Sequence, residues 1–133
     1  MNPVVHFESP YDDAARAVRF YTAVFGWETH DLGPDMGNYI IATTAKADVK
    51  PGAPAGAVDG GLFPRMSEGP AKHPTVVIAV RNMARALRAI REAGGEVLGD
   101  PVQIQGVGRY ASFTDSEGNR LSLLEPAPRS TLQ

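Results

Sequence analysis

The 133-residue chain contains no cysteine. That absence removes disulfides, redox thiols, a thiol nucleophile and thiolate metal ligands, so any transition metal would fall to three histidines and the carboxylates. Charge bias is also missing. Thirteen Lys and Arg face fifteen Asp and Glu, a net charge of −2 without long runs, and no such field draws in nucleic acid or an anionic membrane. No stretch approaches the roughly 20 apolar residues of a membrane span. Nor does the amino terminus carry a basic segment followed by an apolar one, so a cytoplasmic location is expected.

What is present is an ordinary core-forming composition, 43% hydrophobic, which at this length predicts one domain over residues 1–133. Within it the chain repeats. The word ARAVR at Ala15 to Arg19 returns as ARALR at Ala84 to Arg88, and the same spacing carries Asp13 onto Asn82 and Gly26 onto Gly95. Helix-capping residue, helix and terminating glycine agree at one offset, which is better read as duplication than as chance.

Each copy reads as strand, helix, strand. Val4 to Ser9 is β-rich and ends at Pro10; Asp12 or Asp13 then caps a helix with the apolar stripe Ala14, Ala17, Val18, Tyr21, Val24 and Phe25, stopped by Gly26. In the second copy Thr75 to Val80 is a strand, Asn82 caps, and Met83, Ala86, Leu87 and Ile90 form the stripe before AGGEV. Further strands are expected at Trp27 to Asp31, Tyr39 to Thr44 and Gly60 to Pro64, then at Glu96 to Gln103, Arg109 to Thr114 and Arg120 to Leu124. Loops are expected from Lys50 to Gly56 and as a hairpin turn in SEGN, Ser116 to Asn119. Two βαβββ modules follow, at about 1–65 and 74–127 with a linker at about 66–73, in an α+β fold with both helices outside a curved sheet.

The opening VVHFESPYDDAARAVRFYTAVFGWE and the closing GVGRYASFTDSEGNRLSLLEP resemble the vicinal oxygen chelate superfamily, which contains glyoxalase I, bleomycin- and fosfomycin-resistance proteins and extradiol dioxygenases. The resemblance covers nearly the whole chain. It implies two βαβββ modules forming a curved, partly closed eight-stranded barrel with the functional cavity inside, and a homodimer. It also implies, in metal-dependent members, one ligand on the first strand of each module and one on the last.

At those four positions the chain offers His6, Thr75, the Gly60-Gly61 pair and Ser122. Only His6 is a ligand type suited to a divalent metal, whereas a catalytic site needs about three protein ligands. Asp59 lies just outside the glycines, His73 two residues before Thr75, and Glu125 one strand step off from Ser122 and so facing away. His6, Glu8 and Asp59 would make a different site from the family's. The expectation is therefore no resident metal and no other cofactor.

The remaining chemistry lines the expected cavity. His6 and Glu8 share one strand face, as an acid and base pair or as a histidine bonded to backbone beside a glutamate meeting an arginine. Arg109 and Tyr110 follow the GVG turn and either clamp a carboxylate or aromatic ligand or lie solvated on the rim. Phe63, Thr75 and Ser122 complete the candidate ligand-binding set. Tyr21 and Trp27 read as core, GGLFPR lacks the helix of a phosphate cradle, and no serine sits in a G-x-S-x-G setting. Arg16, Arg19, Arg85, Arg88 and Arg91 read as solvated outer helix faces. Three function classes stand: a metal-independent small-molecule binder of the bleomycin-resistance kind; a lyase, isomerase or dioxygenase; and a scaffold with a vestigial pocket. The departures at Thr75, Gly61 and Ser122 favour the binder, since they remove the usual catalytic apparatus and leave the cavity.

Overall fold

The computed structural model describes residues 1–45, 56–66 and 72–128. Its elements are β1 Val4–Tyr11, α1 Ala14–Phe25, β2 Glu28–Asp31, β3 Ile40–Thr43, β4 Asp59–Pro64, β5 Thr75–Ala79, α2 Met83–Glu92, β6 Glu96–Ile104, β7 Gly108–Thr114 and β8 Arg120–Pro126. A 3-10 turn occupies Pro34–Met36. The order is βαβββ twice, the α+β arrangement the repeat implies. Most of the Lys50 to Gly56 loop and of the 66–73 linker lies outside the described residues.

Two compact units are present, His6–Thr75 and Met1–Val5 with Val76–Gln133. The first five residues thus group with the second module rather than the first. The Ala79 N–H donates to the Pro3 carbonyl at 2.9 Å there.

In the His6–Thr75 unit the strands run β2-β3-β4-β1, with β1 and β4 parallel and the other pairs antiparallel. Neighbouring residues across a sheet share a face, so the register sorts the side chains. Phe7, Gly60 and Ala42 lie on one face; Glu8, Gly61, Ile41 and His30 lie on the other. Of the two candidate caps, Asp13 accepts the Arg16 N–H at 3.0 Å and starts α1, while Asp12 pairs with Arg65 at 2.9 Å. Gly26, at φ 72°, closes the helix in the left-handed conformation that glycine adopts without penalty.

The α1 stripe is narrower than the sequence spacing suggests. Val24 and Phe25 are 56% and 60% exposed, and no residue of α1 is fully buried. The reason is Trp27, whose ring lies flat on Tyr21 with centroids 4.7 Å apart and packs at 5.4 Å from Phe7. Phe25 packs at the edge of that stack, 5.8 Å from Trp27 and 6.3 Å from Tyr21, and meets Phe20 at 6.4 Å. Below it Ile40, Ala42 and Leu62 are buried.

The second unit orders its strands β5-β8-β7-β6, with β5 and β8 parallel and the rest antiparallel. Asn82 caps α2 by accepting the Arg85 N–H at 2.9 Å, as Asp13 does for α1. Met83 and Leu87 of α2 pack with Val80, Ala111, Phe113 and Leu123 into one core. Each fully buried side chain of this size contributes about 1.5–3 kcal/mol relative to exposure. Register leaves Val77, Ser112, Tyr110 and Ser122 on the opposite face of this sheet. The SEGN hairpin turn forms around Asp115, whose carboxylate accepts the Glu117 and Asn119 N–H groups, both at 2.9 Å.

Candidate functional site

The site in the first unit is built on the face of β1 and β4 turned away from the aromatic stack. His6 and Glu8 project from β1, and their register partners on β4 are Asp59 and Gly61. The arriving group is Tyr39, just before β3, whose hydroxyl lies 2.9 Å from His6 Nε2. From the sequence Tyr39 is only the first residue of an expected strand.

Two consecutive glycines make that contact possible. A Cβ at Gly60 would run into the Phe7 ring, and a Cβ at Gly61 would land on the Tyr39 phenol. The strand therefore gives up side chains on both faces, so that one aromatic ring lies against each. The Gly-Gly pair, read from sequence as a missing ligand, is a landing place for two rings.

The loop that delivers Tyr39 is braced. The Asp31 carboxylate accepts the Gly33 N–H at 2.8 Å, and Leu32 N–H bonds the Tyr39 carbonyl at 2.9 Å. Asn38 is the one non-glycine residue at positive φ, 56°, among the described residues, and the Tyr11 hydroxyl donates to its carbonyl at 2.7 Å. A left-handed backbone at Asn38 is sterically uncommon but tolerated by this residue type, and it turns the chain so that Tyr39 faces Gly61.

Burial pushes the His6 imidazole below its ordinary pKa, against the opposing pull of the Glu8 and Asp59 charges. It is therefore the neutral ring at neutral pH, able to accept the phenol proton or to donate, according to tautomer. Asp59 is engaged elsewhere: its carboxylate accepts the Thr44 N–H at 2.8 Å, fixing the end of β3. His30 shares the face but is exposed, as is His73.

In the second unit Tyr110 and Ser122 do meet, with hydroxyl oxygens 2.6 Å apart, and Ser122 is fully buried. Arg109 does not join them. It is the next residue along β7, its register partner is Glu125, and it lies on the other sheet face, exposed. A single site on one face takes Tyr110 or Arg109, not both. The arginine that does share the Tyr110 face is Arg120, whose Nη2 donates to Ser112 Oγ at 2.9 Å. Strand alternation from Ser122 would have pointed to it. Glu125 faces away from Ser122, as its spacing requires, and its carboxylate accepts the Met83 N–H at the start of α2 at 2.6 Å. Thr75 is buried and Phe63 half-buried.

These donors do not fit a divalent metal at the family positions. Gly61 offers no ligand and its side-chain space holds the Tyr39 phenol; Ser122 and Thr75 are neutral hydroxyls. Among the described residues, no group of three or more His, Asp and Glu side chains is gathered for one ion. No helix among them is long and apolar enough to cross a membrane.

Paired βαβββ modules, each with polar side chains on one face of its strands, define a class of fold whose members vary in chemistry. The chain belongs to the Glyoxalase/Bleomycin resistance protein/Dioxygenase superfamily, whose family model matches residues 4–123. It is similar to CFP32 of Mycobacterium tuberculosis, provisionally named a glyoxylase, with 31% identity over 114 residues, 85% of this chain and 40% of that one. It is also similar to the anthracycline biosynthesis protein DnrV of Streptomyces peucetius, 30% identical over 84% of this chain and 42% of the relative. The chain thus spans well under half the length of these curated relatives. Among solved structures, a hypothetical protein BH1468 of Bacillus halodurans superposes with TM-score 0.67 at 15% identity, covering 97% of both chains. Methylmalonyl-CoA epimerase from Mycobacterium tuberculosis superposes with TM-score 0.63 at 19% identity, covering 94% of this chain and 88% of its own. At such identities the likeness is one of fold.

Proposed function

We propose that the chain is a small-molecule-binding domain that holds its ligand without a protein-bound metal, through His6, Tyr39 and Glu8 on the face of β1 and β4. The observation that carries this is the 2.9 Å His6–Tyr39 hydrogen bond over Gly61. A phenol stands where a ligand-bearing side chain would project from β4, and it ties up the one histidine at a family metal position. Phe63 adds an apolar wall on the same face by strand alternation from Gly61. Tyr110 and Ser122 make a second hydroxyl pair in the other unit, and Thr75 is retained as a buried polar residue. Arg109 drops out because it lies on the other face of β7.

The proposal extends to a cytoplasmic homodimer. CFP32 and DnrV, of which this chain covers 40% and 42%, have length for a second domain of the same size, and a second copy would supply it. Sedimentation or light scattering at a dimer mass supports this; a monomer at all concentrations refutes it.

The experiment is a thermal-shift screen of aromatic and anionic small molecules and of divalent metals. An organic compound at 100 times its Kd should add about 2.7 kcal/mol of stability. That stabilisation should vanish in Tyr39→Phe and His6→Ala, and metals should add none. Near-stoichiometric zinc, nickel, manganese or iron in protein purified without chelator overturns the metal-free reading. A library in which nothing stabilises the protein overturns the binder.

A further inference from the structure

The His6–Tyr39 contact is built more elaborately than simple recognition requires. Tyr39 is delivered by a braced loop, seated in a space that only glycine leaves open, and joined at its hydroxyl to the ring nitrogen of a half-buried histidine. The histidine in turn has carboxylates on both strands of its face, Glu8 on β1 and Asp59 on β4. The hydroxyl–imidazole pair is thus a two-group path for a proton, and the two carboxylates act on it through their charge.

We propose that Tyr39 and His6 form a proton relay that accepts a proton from an acidic hydroxyl of the ligand, so that the ligand class is phenols and enols held as oxyanions. This rests on the small-molecule-binding reading above. In the step, the ligand O–H bond breaks as an O–H bond forms on Tyr39. The former Tyr39 proton passes to His6 Nε2, forming an N–H bond. The ligand then carries the negative charge and accepts a hydrogen bond from Tyr39, whose oxygen accepts one from the imidazolium. No electrons leave the system and no co-reactant is needed.

Local electrostatics suit both ends of the transfer. Burial keeps the resting imidazole neutral and ready to accept, and Glu8 and Asp59 favour the imidazolium once the proton arrives. The other titratable groups on this face are Glu28 and His30, both exposed on β2. A charge-assisted hydrogen bond to the ligand oxyanion is about twice as strong as a neutral one, so the relay selects ligands whose hydroxyl is acidic enough to ionise on binding.

The test uses 4-nitrophenol, whose phenolate absorbs visible light and whose phenol does not, in buffer well below its solution pKa. Wild-type protein should bind it as the coloured phenolate. Tyr39→Phe, which keeps the ring, and His6→Gln should each lower the bound phenolate fraction by about tenfold or more, the loss of a hydrogen bond to a charged group. Arg88→Gln, on the outer face of α2, should match wild type. The imidazole nitrogen signals of His6 should report the imidazolium only in the phenolate complex. Binding of 4-nitrophenol as the neutral phenol overturns the relay while leaving a binder. A phenolate yield that survives Tyr39→Phe and His6→Gln also overturns it, as does wild-type protein that fails to bind 4-nitrophenol at all. The binder reading fails separately, when no compound of the thermal screen stabilises the chain.

Discussion

Gly61→Ala is the most informative single change in the first unit. The backbone there has an ordinary negative φ, so alanine is conformationally admissible, and elsewhere on a strand the exchange would stabilise by about 0.4–1 kcal/mol through the unfolded chain. Here the new methyl would overlap the Tyr39 phenol oxygen and ring carbons. Forced overpacking of this kind costs about 1–3 kcal/mol. Swinging the ring aside also breaks the His6–Tyr39 hydrogen bond, worth about 0.5–1.5 kcal/mol net. Setting these against the gain, Gly61→Ala should destabilise by about 0.5–4 kcal/mol. The same change in a Tyr39→Ala background should be neutral or stabilising, because nothing remains to collide with. Urea unfolding of the four proteins gives the cycle, with midpoints compared at a common slope. A coupling energy near zero, or a Gly61→Ala protein at least as stable as wild type with Tyr39 intact, would show that the phenol does not occupy the Gly61 side-chain space.

Stability should fall as pH drops below about 6.5, the ordinary histidine value. His6 stays neutral in the folded chain while the unfolded chain takes up a proton, so its contribution is complete above that value and is lost progressively toward the lower folded pKa. The wild-type minus His6→Gln difference isolates this slope from the carboxylates, and a flat difference between pH 7 and 5 would contradict it. Glu125→Ala should cost about 0.5–2 kcal/mol, as loss of a helix cap does, because its carboxylate accepts the Met83 N–H; no change in the unfolding midpoint would remove that role. Asp115→Ala should speed amide exchange at Glu117 and Asn119 by removing their acceptor, and unchanged protection there would contradict the turn's hydrogen-bond pattern.

How much of this could be read from residues alone depends on whether a feature is local. The caps were legible because they act over three residues: Asp13 and Asn82 make the same bond to Arg16 and Arg85. The strands were legible to within a few residues, though β1 runs on through Pro10 to Tyr11. At the helix ends the repeat was less faithful. Gly26 takes the left-handed stop in the first copy, but Gly94, rather than the repeat-matched Gly95, adopts φ 97° in the second. The Tyr39 contact was not legible, since it joins residues 33 apart through a loop whose geometry rests on Asn38 and Tyr11. A signal did exist. Two glycines inside a strand otherwise rich in large residues mark a close approach, and the question they pose is which rings fill the space.

The repeat also shows where chemistry can reside. Its spacing preserves the caps and the helical words, yet it carries His6 onto Thr75, Glu8 onto Val77 and Tyr39 onto Gly108. It likewise replaces the stacked Tyr21 and Trp27 with Ile90 and Glu96, and the second core is correspondingly led by aliphatic side chains. The caps and helical words that start each module are held at matching positions, while residues on the polar face are not. A burial requirement acts on both copies alike, because each helix must cover its own sheet. A ligand requirement need act on only one. The His6–Tyr39–Glu8 face has no counterpart at the matching positions of the second copy, so substitutions at Thr75 or Val77 should alter stability without reproducing the ligand effects of Tyr39→Phe. Equal loss of binding from Val77→Ala and Tyr39→Phe at matched stability would show instead that both modules furnish the site.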